Sequence, residues 1–182
     1  MSLVPDGNGG KALRIGAPRG GGCYIARGLE GNRREVYISF RMRMDSAHPD
    51  KTWELYSTAV GVMLLTGLQD AKEQWRTGIQ FAIPTHDVLV HPLTSRLAIH
   101  KTGLTWASGE TLDIGLGIKY GHDGFVKFYY DGVKVYEVHY DTLEPGKADT
   151  VNSIRIGAHD GIACVLVLGN VKVATTEEEA GV

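Results

Sequence analysis

The run "GFVKFYYDGVKVYEVHYD", Gly124 to Asp141, decides the fold. Two alternating apolar stretches meet at Asp131-Gly132, a pair suited to a two-residue type I′ turn, in which both positions need positive φ. That turn sets a register opposing Tyr130 to Val133 and Phe128 to Val135 on one face. Tyr129 then meets Lys134, and Lys127 meets Tyr136, on the other. Each good cross-strand pair contributes about 0.2–1 kcal/mol, and a slip of one residue would turn every apolar side chain outward. An antiparallel hairpin with one core-facing side follows.

The same period of two extends outward from it. In "REVYISFRMRMD", Val36, Ile38, Phe40, Met42 and Met44 share one face, and Glu35, Tyr37, Ser39, Arg41 and Arg43 share the other. This predicts a strand with one buried and one wet side. "TLDIGLGIKY" opposes Leu112, Ile114, Leu116, Ile118 and Tyr120 to Asp113, Gly115, Gly117 and Lys119. Gly115 and Gly117 leave that outer face bare, which weakens the strand unless something packs there. Further strands are expected at "ALRIG", "CYIAR", "AVGVMLLTG", "RTGIQFAI", "SRLAIHK", "SIRIGA" and "ACVLVLGNVKVAT"; only "LQDAKEQWR" suits a helical turn or two. Ten to twelve short strands joined by Gly-rich turns predict an antiparallel sandwich or barrel.

Composition bounds the function. A chain of 182 residues suits one domain, large enough to bury roughly 70% of its unfolded surface. Its 19 basic and 21 acidic residues nearly cancel, so no global field draws nucleic acid or anionic lipid. The sequence has no apolar run long enough to cross a bilayer as a helix, and "MSLVPDGNGGKALRIG" has no secretory apolar core. Cys23 and Cys164 are too few for a disulfide framework or a zinc site. They read as buried thiols, and a bridge between them needs the first and last strands side by side.

"TLDIGLGIKYG", "VKFYYDGVKVYEV" and "IRIGAHDGIACVLVLGNVKVA" together resemble the concanavalin A-like lectin/glucanase jelly roll, laminin-G-like domains included. The resemblance covers Thr111 to Ala174, closing on the "DNVKV"-like Gly169-Asn170-Val171-Lys172-Val173. It implies two antiparallel sheets and says nothing of activity. The family's glucanases carry an E-x-D-x-x-E strand, whose same-face carboxylates lie about 5–5.5 Å apart for retaining hydrolysis. No such triplet exists here: Asp113 has glycines where partners would stand, and Glu137 and Asp141 lack a third. The legume-type metal loop is likewise absent, leaving isolated loop acids such as Asp123 and Asp160 as calcium candidates. The expectation is therefore of no metal and no cofactor, with a single calcium at such a loop acid as the alternative.

Other chemistry-bearing residues have plainer readings. His86, Asp87, His91 and His100 lie along "PTHDVLVHPLTSRLAIHK" and read as solvated loop groups rather than ligands. "GAPRGGG" lacks the Lys-Ser/Thr pair of a phosphate loop and reads as a turn. Trp53, Trp75 and Trp106 fall beside strand ends, where an exposed indole would stack on a sugar ring. Polar ends, residues 1–10 and 175–182, read as arms flanking a jelly-roll body of residues 11–174. These features lead to the expectation of a non-enzymatic assembly protein, such as a phage virion component that decorates a capsid or tail. Leu3, Val4, Pro5, Arg19, Arg41 and Arg43 would meet neighbouring subunits, most simply in a homo-oligomer. The alternatives are an extracellular glycan-binding module using the tryptophans, and an atypical glycoside hydrolase of the same fold.

Overall fold

The computed structural model describes residues 1–5, 10–17, 23–49, 59–66, 74–82, 86–91, 98–146, 149–158 and 162–182. In chain order the strands begin with β1 (Ser2–Pro5), β2 (Lys11–Ala17), β3 (Cys23–Arg33), β4 (Glu35–Pro49), β5 (Ala59–Thr66) and β6 (Gln74–Ala82). They continue with β7 (Asp87–His91), β8 (His100–Thr105), β9 (Thr111–Lys119), β10 (Gly124–Tyr130), β11 (Val133–Tyr140), β12 (Val151–Ala158) and β13 (Ile162–Ala174). A single helical turn, α1 (Glu177–Ala180), follows. The strands form a seven-stranded sheet ordered β1-β2-β13-β4-β9-β10-β11 and a six-stranded sheet ordered β3-β12-β5-β6-β7-β8. Every recorded pairing is antiparallel.

The core lies between the two sheets, as the alternation requires. Val36, Ile38, Phe40, Met42 and Met44 of β4 and Leu112, Ile114, Leu116 and Ile118 of β9 are all buried from one side. From the other sheet they meet Ile79, Phe81, Val88, Val90, Ile154 and Ile156 in one continuous cluster. Strand and sandwich thus have a common cause: apolar residues at every second position, with no other place to hide them.

The hairpin turn forms as expected, with Asp131 at φ 50° and Gly132 at φ 76°. Its first two pairs, Tyr130 with Val133 and Tyr129 with Lys134, also form. Beyond them the register departs from expectation. A bulge places Phe128 opposite Tyr136 and Lys127 opposite Glu137, so that Val135 is the extra residue. The shift brings Tyr136, Val138 and Tyr140 against the core and sets a cation opposite a carboxylate on the outer face. Turn chemistry alone fixes only the pairs nearest the turn.

The bare stripe at Gly115 and Gly117 is covered by the chain's own end. A Cβ on Gly115 would come within 2.5 Å of Val182 Cγ1, and one on Gly117 within 2.6 Å of the Tyr37 ring. Tyr37, expected on the wet face, is only 4% exposed because Phe125 and Ala180 pack with it. Thr176 caps α1 through its side chain, and Gly181 ends it in the left-handed region. Lys127 pairs with Glu177, and the Ser39 hydroxyl donates to the Ala180 carbonyl at 2.5 Å. At the other end of the chain, Ser2–Pro5 adds an edge strand to β2. The "LQDAKEQWR" segment falls mostly outside the described residues, and its last three, Gln74 to Arg76, belong to β6. Cys23 and Cys164 sit on β3 and β13, in different sheets rather than on neighbouring strands.

Candidate functional site

The outer face of the six-stranded sheet gathers the residues with the most chemistry. Ile154 and Ile156 turn into the core, so Arg155 between them stands on the outer face. Val90 is buried likewise, which puts His91 on the same face. Strand register then aligns them: Arg155 pairs with Met63, Met63 with Gly78, and Gly78 with His91. The two residues lie three strand spacings apart, about 14 Å between backbones. The adjacent row runs Gly157, Gly61, Gln80, Leu89, Lys101. Gly157, Gly61 and Gly78 add no side chain to these two rows, and Met63 occupies the position between Arg155 and Gly78.

Arg155 and His91 are both half-buried. Burial holds His91 below the ordinary histidine value of 6.5, so its imidazole is neutral at neutral pH. Farther along β7, Asp87 accepts from Lys101 Nζ at 3.0 Å. This face therefore offers a fixed cation and a neutral base, with an ion pair at one edge.

The remaining candidates are scattered. Trp106 is 4% exposed and its ring lies 4.8 Å from that of His86, so it is a core anchor with no face for a sugar. Trp75 registers opposite Leu65, past a bulge, in the six-stranded sheet; Trp53 and Arg19 lie outside the described residues. His86 Nδ1 lies 2.9 Å from the Trp106 carbonyl oxygen. His100 stacks on Tyr136 at 4.3 Å, joining the edges of the two sheets, and does not converge on His91. Among the described residues no group of three His, Cys, Asp or Glu side chains is placed to hold a metal. Asp123 pairs instead with Lys119 at 2.7 Å, and Asp160 lies outside the described residues.

The proposed interface residues divide similarly. Leu3 and Pro5 are exposed and Val4 half-buried on the edge strand. Arg41, expected to reach an acidic neighbour, donates from Nε and Nη2 to both oxygens of Asp113 at 2.8 and 2.7 Å. Arg43 pairs with Asp45 at 2.5 Å. Both arginines find their carboxylates within the chain, Arg43 two residues away and Arg41 directly across on the neighbouring strand β9.

No protein-family model matches the sequence, and a search of the curated proteins finds no match. Solved structures do match. An endo-β-1,4-glucuronan lyase from the fungus Trichoderma reesei aligns over 98% of this chain and 88% of its own, with a TM-score of 0.72 and 17% identity. The fold is a concanavalin A-like jelly roll. A carbohydrate esterase from the Shiga toxin-encoding bacteriophage phi24B aligns over 94% of this chain and 85% of its own, at TM-score 0.62 and 15% identity. A marine alginate lyase from Aplysia kurodai aligns over 96% and 87%, at TM-score 0.60 and 10% identity.

These likenesses correct the expectation of a non-enzymatic assembly protein. Structures that share this jelly roll along nearly its whole length include lyases and a carbohydrate esterase. The fold is thus one that enzymes of glycan chemistry also use, and it gives no ground for a non-enzymatic role. The missing carboxylate triplet tested only one chemistry, glycoside hydrolysis. Arg155 gave no signal beyond its strand parity, and His91, expected to be a solvated loop group, is instead half-buried at the end of β7, where Val88 and Val90 set a strand's alternation.

Proposed function

We propose that this protein acts on an acidic polysaccharide at the outer face of the six-stranded sheet, cleaving it by β-elimination. The observation that carries this reading is the row of Arg155, Met63, Gly78 and His91, which sets a guanidinium and an imidazole on one face of the sheet. Elimination at a uronate requires neutralisation of the carboxylate, a base for the C5 proton, and a proton for the departing oxygen. Arg155 supplies a planar cation suited to a carboxylate. His91, neutral because it is desolvated, takes the C5 proton; the C4–O bond breaks, a C4=C5 double bond forms, and the departing oxygen takes a proton from solvent. Paired carboxylates have no part in this chemistry, consistent with their absence from the sequence. The shared fold of glucuronan and alginate lyases supports the substrate class.

Incubation with glucuronan, alginate and polygalacturonate tests the reading through the ultraviolet absorbance of the unsaturated uronate. At least one polymer should yield it, and His91→Ala or Arg155→Ala should lower kcat by roughly 10²–10⁴-fold without loss of the β-sheet circular dichroism. A second reading, glycan binding without turnover, is favoured by the register of Trp75 on the same sheet. Tight polymer binding with no unsaturated product would select it, and absence of both binding and cleavage would eliminate both readings.

A further inference from the structure

The opposite face of the sandwich carries a cavity that the proposed reaction does not use. It measures about 460 Å³ and opens on the outer side of the seven-stranded sheet, beside the C-terminal turn. Register explains why it exists. Lys172 pairs with Ser39, Ser39 with Gly115, and Gly115 with Tyr129, making one row across β13, β4, β9 and β10. Gly115 leaves a hollow in that row, and Val182 fills only part of it. The next row contributes Arg41 and Asp113, locked together through two hydrogen bonds. Asp131 closes one side, its Oδ1 accepting from the Asp113 backbone N–H at 3.0 Å. A bulge in β13 with Asn170 at φ 53° brings Asn170 and Val171 to the other.

The chemistry of this lining selects a ligand class. Among the lining side chains, two cations, Arg41 and Lys172, balance two carboxylates, Asp113 and Asp131, so no excess of side-chain cations favours an anion. Arg41 is committed to Asp113, which holds that carboxylate in place as an acceptor. Carboxylate and amide oxygens beside an ammonium form a hydroxyl-binding set. Val171, 39% exposed, and Val182 offer an apolar side for C–H groups. The volume lies in the range of small-ligand sites. We infer that this cavity is a second carbohydrate site, one for a neutral mono- or disaccharide unit, on the sheet face opposite Arg155 and His91. The inference stands apart from the proposed elimination, since the two faces share no residue.

Titration of the isotope-labelled full chain with cellobiose, maltose, lactose and digalacturonate, followed by amide NMR, tests it. At least one neutral disaccharide should shift the Gly115, Gly132 and Gly181 amides. Asp131→Asn, which keeps a residue tolerant of positive φ, and Lys172→Ala should each weaken that Kd by about tenfold, the loss of one good hydrogen bond. His91→Ala should leave it unchanged. Three results would overturn the inference: no shift of these amides by any neutral disaccharide, shifts indifferent to both variants, or digalacturonate binding there as tightly as the neutral sugars.

Discussion

Glu137 shows how a residue's surroundings decide its chemistry. As an isolated carboxylate it invites a catalytic reading. In the structure Lys134, His139 and Lys127 all face it. Hydrogen bonds from Lys134 and His139 pull its pKa from 4.5 down to about 2, so it is a fixed anion and not a proton donor near neutrality. Because the folded value lies below the unfolded one, its stabilising contribution is complete above pH 4.5 and disappears as pH falls toward 2. Denaturant midpoints measured across that window should therefore fall more steeply for the natural protein than for Glu137→Gln. Equal slopes would show that the cluster contributes nothing. Lys134 and Glu137 lie three apart in sequence, but the bulge that sets Lys127 opposite Glu137 has no signature in the residues themselves.

At the scale of elements, the hairpin and the C-terminal turn contrast. The hairpin's turn was legible because Asp-Gly at positive φ is a local requirement, satisfied by two residues. The seating of α1 was not, since four residues of "EEEA" cannot hold a helix without tertiary contacts. What the sequence does contain is the receiving surface: Gly115 and Gly117 are the vacancy, and Tyr37 and Val182 the filling. Gly117→Ala should push its new methyl into the Tyr37 ring and cost about 1–3 kcal/mol, the usual range for overpacking. Combining it with Tyr37→Ala should cost less than the sum of the two single changes, because the clash is then gone. Additive losses in urea melts would refute the packing account.

For the molecule as a whole, one core joins both sheets, so both should unfold together. Phe81, fully buried from the six-stranded side among residues of both sheets, is the position to probe. Phe81→Ala should lower stability by about 3–5 kcal/mol, with far- and near-ultraviolet circular dichroism still reporting one coincident transition. Separate transitions would mean that the sheets are independent. The sandwich was readable because burial in a strand obeys a period of two, and a linear pattern records a period directly. Which strands become neighbours is a different kind of information. Arg155 and His91 are 64 positions apart, and so are Arg14 and Gly78; only the β12-β5-β6-β7 order makes one of those pairs a row. Local stereochemistry and hydrophobic alternation wrote the layers into the chain, whereas the pairing of distant strands, a long-range choice that no nearby residue encodes, assembled both candidate sites.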